Sequence, residues 1–376
     1  YLEPDRSSRR GPTAVGVPGT VAGLWALHQK FGVLPWETVV EPSYRLAQEG
    51  IPVDSWFNDG IASSREMLAA SPASAEIFLP GGHPPAIGST FRQKDLAATL
   101  KRLALDGPKD LYRGKTAKLL VEGLREAGGV LSAEDLLRYE AKWREPLSGT
   151  FRGYRVWSMP PPSSGGIHIL QMLHWLESQT HLSRFHNSGR DLQRLAEVMR
   201  LAYCDRAQFL GDPDFTDVPV ERLLSEEYLQ ERARLIPTEK SGDSRSLAPE
   251  LFSNPAKESD NTTHYNVVDR HGMAVSLTYT LNFSYEMDDF NARPGEPNAY
   301  GLIGSEANDV EAGKRPLSSM TPTLVTKDGQ FVAAIGAPGG SRIITGVFQV
   351  LLNILGYGFN PQTAVSLPRV HHQWYP

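Results

Sequence analysis

The chain has 376 residues, 40% of them hydrophobic, and a net charge of −5, which is material for one large or two ordinary domains. Lys and Arg number 7 against 9 Asp and Glu over 262–376, leaving −3 before it, so no basic face or acidic tail argues for nucleic acid or a membrane surface. Cys204 is the single cysteine, which excludes an intrachain disulfide and a Cys-rich zinc site and predicts a small buried thiol; no apolar run is long enough to span a bilayer. No signal peptide is visible, and the sequence opens on Tyr1 rather than Met.

Pro18-Gly19-Thr20 leads into a predicted helix over 21–30, with Thr20 as N-cap and Gly32 as its stop. Residues 51–91 mix helical pieces with turns such as Pro80-Gly81-Gly82. Helices are predicted at 94–105 and 116–127, the second ended by Gly128-Gly129, and Ser132-Ala133-Glu134-Asp135 has capping-box spacing for a third. Residues 151–158 alternate as a strand. Residues 167–176 and 191–208 read as helices, the second with Leu192, Leu195, Val198, Met199 and Ala202 on one face. The polar stretch 236–261 reads as an exposed linker, accessible to cleavage at its end.

Next comes the stretch around which the chain is organised. Thr263, Tyr265, Val267 and Asp269 alternate with His264, Asn266 and Val268, and Arg270-His271-Gly272 turns the chain into 273–281, so the two runs form a hairpin. A Thr-Thr pair at the start of a strand reads by itself as β-branched structure. It becomes a nucleophile only if a base activates it, and the nearest base is its own α-amino group, which exists only after cleavage just before it. An α-amine titrates near pH 8, so a useful fraction is neutral near pH 7.

Residues 291–313 read as a loop. A second hairpin, 320–326 with 330–337, crosses Asp328-Gly329, a dipeptide that favours tight primed turns. Ala337-Pro338-Gly339-Gly340-Ser341-Arg342 then feeds an apolar helix predicted over 343–355. Such a turn offers backbone N–H groups to an anion, either a phosphate or the oxyanion of acyl transfer, or is a plain strand-to-helix connection. Asp212-Pro213-Asp214 reads as a turn rather than a cation site. His371 and His372 read as packing or surface residues, since a third metal ligand is missing. Met159–Gly166 reads as a shaped loop near the site, because it lacks the Gly-Lys-Ser/Thr ending of a phosphate loop.

In order, the motifs Pro18-Gly19-Thr20-Val21-Ala22-Gly23, Pro160-Pro161-Pro162-Ser163-Ser164-Gly165-Gly166, Leu210-Gly211-Asp212-Pro213-Asp214-Phe215, Thr262-Thr263-His264-Tyr265, Met287-Asp288-Asp289-Phe290, Arg315-Pro316-Leu317-Ser318-Ser319-Met320, Pro338-Gly339-Gly340-Ser341-Arg342 and Pro368-Arg369-Val370-His371-His372-Gln373-Trp374 carry a resemblance over essentially the whole chain. The chain resembles the γ-glutamyltranspeptidase family of N-terminal-nucleophile hydrolases. The resemblance implies an α+β fold, the four-layer αββα sandwich, built as one composite domain. Self-cleavage of the Asn261–Thr262 bond would divide it into a helix-rich large-subunit portion (1–261) and a small-subunit portion (262–376).

By the same resemblance, Thr262 is the nucleophile and its new α-amine the base, while Thr280 orients the new terminus. Asn282, Glu286 and Asp289 hold the α-amino group of a γ-glutamyl donor, which fits a cation needing acceptors. Ser318 and Ser319 donate to its α-carboxylate, Gly339 and Gly340 form the oxyanion hole, and Tyr300 is the aromatic lid. Asp288 reads equally as structural. No cofactor and no metal are implied. The donors are glutathione-like small molecules, the acceptors water, amino acids or peptides, and the location periplasmic or secreted.

Three departures accompany the resemblance. The family's carboxylate-binding arginine lies upstream of Tyr1, and none of Arg6, Arg9 or Arg10 stands in its place. The family continues beyond Pro376, and it carries a longer glycine-containing segment where Tyr285 here joins Glu286. Alternatives are a non-catalytic, unprocessed precursor-like homologue and an acylase for glutaryl-type side chains on the same fold. Asn282, Glu286 and Asp289 argue against the latter, since an acyl group without an α-amine has no use for two carboxylates.

Overall fold

The computed structural model describes residues 11–178, 186–237, 240–248, 262–279, 286–291, 298 and 301–374; the side chains of Glu286 and Asp288 are outside the description. The chain divides into two compact units, Val17–Lys142 and Tyr1–Gly16 with Trp143–Pro376.

The unit Val17–Lys142 is helical apart from a short ladder of β1 (Ile51–Pro52) and β2 (Thr90–Phe91). Its first helix is Thr20–Phe31, and Gly19, not Thr20, is the N-cap. The entry is fixed from outside the helix: the Tyr112 hydroxyl donates to the Pro18 carbonyl (2.6 Å) and accepts from Ala22 N–H (3.3 Å). That support makes a threonine cap unnecessary. Helices Lys94–Asp106 and Lys115–Glu126 follow as expected. Ser132 and Asp135 form the capping box of helix Ala133–Arg138, with Ser132 N–H donating to Asp135 Oδ2 at 2.8 Å and Asp135 N–H to Ser132 Oγ at 3.2 Å. Leu136, Leu131, Ala117 and Tyr112 form one core cluster of this unit, with Tyr112 stacked on Tyr139.

The second unit is built on a four-stranded antiparallel sheet ordered β3 (Leu147–Phe151), β4 (Tyr154–Ser158), β7 (Thr323–Lys327), β8 (Gln330–Ile335). The expected single strand over 151–158 is instead a hairpin. Arg152 (φ 50°) and Gly153 (φ 79°) both adopt the positive φ of a primed turn and fold β3 back on β4. Asp328 (φ 50°) and Gly329 (φ 76°) make the same turn between β7 and β8, as the sequence leads one to expect.

Helix Gly165–Ser178 packs on β3 and β4, helix Arg342–Leu351 lies beside it, and the long helix Gly189–Phe209 packs against Gly165–Ser178. Close approach of the first helix to the sheet requires Gly165 and Gly166. A Cβ on Gly165 would come within 2.2 Å of Thr321 Oγ1, and one on Gly166 within 2.3 Å of the Met159 carbonyl. The core so formed holds Phe151, Val156 and Val325 from the sheet, with Ile169, Trp175, Met199, Ala202, Ile344 and Phe348 from the three helices. Leu195 and Val198 of the expected apolar stripe are buried in it, and Leu192 is half-buried. Cys204 is buried and unbridged, and burial pushes its thiol up to about 11.

The helix expected over 343–355 begins at Arg342, runs as α-helix to Leu351 and continues as a π-helical turn over Leu352–Gly356. Two further strands, β5 (Thr263–Val268) and β6 (Ala274–Tyr279), form an antiparallel hairpin with Gly272 (φ 86°) in its turn, and β6 lies beside β8. The stretch expected to be an exposed linker is partly built in. Ile236 and Ala248 are buried, Gly242 N–H donates to Glu197 (2.8 Å), and Ser244 O accepts from the Trp374 indole (2.9 Å); the rest of it lies outside the described residues. Its polar backbone serves as partner to buried groups of the helical layer, which composition does not reveal. Among the described residues, no helix is long and apolar enough to cross a membrane.

Trp175 is fully buried and its indole N–H donates to the Leu229 carbonyl at 2.9 Å. Trp175→Ala therefore removes a large core ring and orphans a buried carbonyl. It is expected to destabilise this unit by about 3–5 kcal/mol, read as a lower midpoint in urea unfolding.

Candidate active site

Thr262 stands half-buried immediately before β5. Thr263 pairs with Tyr279 and His264 with Thr278 across the hairpin. The His264 ring lies 2.8 Å from Thr278 Oγ1 through Nδ1 and 3.0 Å from Asn266 Oδ1 through Nε2. Burial lowers its pKa, which favours the neutral ring. The ring sits against Gly336, where a Cβ would come within 1.9 Å of Cε1. The start of β5 is therefore held next to the residue that leaves β8 for the glycine loop. Ser276 on β6 adds a hydrogen bond to the Ile335 carbonyl at 3.4 Å.

The glycine loop has a defined polarity. Gly339 (φ 127°) and Gly340 (φ 53°) occupy conformations that favour glycine. Their carbonyls accept from the first N–H groups of the following helix, Arg342 N–H (2.9 Å) and Ile343 N–H (3.2 Å). A trans peptide sends its N–H opposite to its carbonyl, so the Gly340 N–H points away from the helix. Among the described residues, no hydrogen bond uses the N–H of Gly339 or Gly340. From behind, the Tyr203 hydroxyl donates to the Ser341 carbonyl, and Ser341 Oγ donates to Gln373 Oε1 at 2.8 Å. His371 hydrogen-bonds Thr345 Oγ1 (2.8 Å) and Gln373 (3.0 Å), and His372 Nδ1 accepts from Trp374 N–H (3.0 Å), so the His371-His372 pair serves packing as expected.

A second loop is stitched to the start of helix Gly165–Ser178. Ser318 N–H donates to the Pro162 carbonyl (2.8 Å), and the Ser318 carbonyl accepts from Ser164 N–H (2.9 Å) and Ser164 Oγ (3.0 Å). Ser318 Oγ accepts from Met320 N–H (3.0 Å), while the Ser319 carbonyl accepts from Thr321 Oγ1 (2.8 Å). The segment 159–166 is thus the support of the Ser318-Ser319 turn. Asp289 closes the 3₁₀ turn Glu286–Asp289. Its carbonyl accepts from the Asn308 amide at 2.8 Å, and Asn308 Oδ1 accepts from Leu317 N–H at 2.9 Å. Asn308 thus links the backbone of Asp289 to that of Leu317, the residue before Ser318. Asp212-Pro213-Asp214 is the expected turn, with Asp212 Oδ1 accepting from Asp214 N–H (3.1 Å) and both carboxylates paired with Arg144 (3.4 and 2.9 Å).

Sequence reasoning missed the residues that join the two loops. Tyr203 and Arg206 lie one turn apart on one face of helix Gly189–Phe209. Arg206 donates to the Leu317 carbonyl (3.2 Å) and to Ser164 Oγ (3.2 Å), and the charge of Asp289 acts on it. The available signal was an arginine four residues after Ala202 and seven after Met199, hence on the apolar stripe. Of the other predicted site residues, Asn261, Thr280, Asn282 and Tyr300 lie outside the described residues, and Glu286 is described only through its backbone.

A helical layer on an antiparallel sheet, with a strand-opening threonine two residues before a histidine packed on the entry to a glycine loop, fits the class of N-terminal-nucleophile hydrolases, whose architecture is the α+β αββα sandwich. Solved structures agree. Cephalosporin acylase from Bacillus halodurans is similar at a TM-score of 0.78 and 26% identity, over 96% of this chain and 67% of that one. Helicobacter pylori γ-glutamyltranspeptidase is similar at a TM-score of 0.60 and 36% identity, over 62% of this chain and 67% of that one. The profile of the family described as Gamma-glutamyltranspeptidase matches residues 1–376. A glutathione hydrolase proenzyme of Escherichia coli (strain K12) is 42% identical over 379 residues, 96% of this chain and 65% of the relative's length. The chain belongs to the γ-glutamyltranspeptidase family and spans just under two thirds of that relative.

His168 stacks on Tyr203 (5.6 Å, 16°), and neither of its ring nitrogens has a hydrogen-bond partner among the described residues. Burial, reinforced by the charge of Arg206, lowers its pKa to about 3. Below the unfolded value near 6.5 the unfolded chain takes up a proton that the folded ring refuses, so stability falls as pH falls. Between pH 6.5 and about 3 this one residue contributes a slope of about 1.4 kcal/mol per pH unit. His168→Gln is expected to flatten the acid side of the stability profile by that amount, measured by urea unfolding at a series of pH values.

Proposed function

We propose that the protein is a γ-glutamyl hydrolase and transferase acting on glutathione-like donors. Cleavage of the Asn261–Thr262 bond frees the Thr262 α-amine and yields a large subunit over 1–261 and a small one over 262–376. The amine takes the Thr262 hydroxyl proton while Oγ attacks the γ-carbonyl carbon. The Gly339 and Gly340 N–H groups stabilise the oxyanion, the amide nitrogen leaves with the proton, and a γ-glutamyl ester remains on Thr262. Water, an amino acid or a peptide then attacks the ester. Asp289, with Asn282 and Glu286, accepts from the donor's α-ammonium, and Ser318 and Ser319 donate to its α-carboxylate. Thr280 orients the new terminus and Tyr300 shields the pocket. In keeping with exported members of the family, the expected location is periplasmic or secreted.

One observation carries the reading. The His264 ring packed on Gly336 ties the strand that begins beside Thr262 to the loop whose Gly340 N–H points away from its own helix. The relative named glutathione hydrolase supports the donor class. The likeness to a cephalosporin acylase favours a glutaryl-type acylase as the second reading. A carboxylate at position 289, beside the Ser318 turn, separates the two, because a glutaryl group lacks the amine that the carboxylate would hold.

A denaturing gel of purified protein, followed by assays with γ-glutamyl and glutaryl p-nitroanilides, tests this directly. Two bands and preferential γ-glutamyl turnover are expected; one band identifies an unprocessed homologue, and a glutaryl preference identifies the acylase. Thr262→Ala is expected to give a folded, single-band, inactive protein, because one hydroxyl serves both cleavage and turnover. Recovery of two subunits from that variant would remove Thr262 from the role. Asp289→Ala is expected to weaken γ-glutamyl donors by about 1.5–3 kcal/mol in kcat/KM and to leave glutaryl donors nearly unchanged, since only the former lose a charge-assisted hydrogen bond. Equal losses for both donors would make Asp289 structural.

A further inference from the structure

Arg206 is an unusual resident of the helical layer. It is buried, with 3% of its surface exposed, and burial lowers its pKa to about 10 although the neighbouring Tyr203 and Asp289 oppose the shift. A guanidinium buried in this way is retained only where its geometry is used, since unpaired burial of a charge is strongly unfavourable. Its hydrogen-bond partners converge on one place. Nη2 holds the carbonyl of Leu317, directly before Ser318, and Nε holds Ser164 Oγ, which itself donates to the Ser318 carbonyl. On the other side, Asp289 is bound through its own carbonyl to Asn308, and Asn308 to the N–H of the same Leu317. Leu317 is therefore gripped at its carbonyl by Arg206 and at its N–H by Asn308. The two proposed seats, Ser318 for a carboxylate and Asp289 for an ammonium, hang from that one residue.

We infer that Arg206 is a positioning residue for donor recognition: its guanidinium fixes the separation between the Ser318 turn and Asp289 without touching the donor. This rests on the γ-glutamyl reading and deepens it. Self-cleavage at Thr262 uses the chain's own peptide and needs neither seat, so it is independent of the spacing. Donor binding depends on both seats at once. Lysine keeps the charge and a single donor point; glutamine keeps a short polar group and loses the charge.

The test uses full-length wild type, Arg206→Lys and Arg206→Gln. Maturation is followed on denaturing gels, and KM and kcat are measured separately with γ-glutamyl p-nitroanilide. Both variants are expected to mature like wild type. In Arg206→Gln, KM is expected to rise by about tenfold or more with kcat held within about threefold, and Arg206→Lys is expected to recover a good part of the loss. Slowed maturation, or a fall in kcat at constant KM, would overturn the proposal by placing Arg206 with the nucleophile or the general fold. Where Arg206→Gln fails to accumulate, Arg206→Met replaces it with the same expected rise in KM, and an unchanged KM in that variant also overturns the proposal. A wild type that matures but cleaves no γ-glutamyl donor sinks the functional reading instead. The role of Arg206 is then read from L-glutamate binding by calorimetry, expected about tenfold weaker in the glutamine variant and overturned by equal affinities.

Discussion

Two side chains one turn apart on a single helix hold the site together. Tyr203 reaches the Ser341 carbonyl behind the glycine loop, and Arg206 reaches the Leu317 carbonyl and Ser164 behind the serine turn. The helix that carries them, Gly189–Phe209, is buried over much of its length and packs on Gly165–Ser178, whose own start supports the same serine turn. Loops far apart in sequence are thus referenced to one rigid rod. Rigid support of this kind is what a site needs when its donors must stand ready before the substrate arrives.

The buried polar groups are arranged so that each ion has a partner close by. Asp205 and Arg232 meet at 2.6 Å, with Gln171 donating to the other carboxylate oxygen at 2.9 Å, and Glu197 and Arg200 meet at 2.6 Å on the same helix. Around Arg206, by contrast, hydroxyl and carbonyl oxygens do the binding, and His168 stays neutral beside it. The Asp205–Arg232 pair joins two helices, whereas the hydrogen bonds of Arg206 go to the loops that carry Ser164 and Leu317.

Much of this was legible in the sequence because its signals are local. Asp328-Gly329 announces a primed turn, Ser132 with Asp135 announces a cap, and the alternation after Thr262 announces a strand. What was not legible depends on packing. β3 gives no alternating pattern because Gly149 interrupts it, and a Cβ there would come within 2.9 Å of Leu170 on the helix above. Thr20 looked like a cap only because Tyr112, some ninety residues on, was not known to take over that task. Arg206 drew no reading from the sequence, and only the fold places it behind the serine turn. For the candidate site the sequence offered only the residues that the resemblance names, whereas the tethers between its loops appear only in three dimensions.

The peptide planes of Gly339 and Gly340 have one further consequence. Their carbonyls are used to begin the helix Arg342–Leu351, and planarity then turns the Gly340 amide outward. Starting the helix and aiming the amide are one event, not two. The orientation of the amide is settled when the chain folds. On the oxyanion role proposed for it, fraying of that first helical turn would register as lost catalysis before lost structure, and the segment from Val370 to Trp374, which braces the turn through Gln373 and His371, would be a remote guarantor of that chemistry.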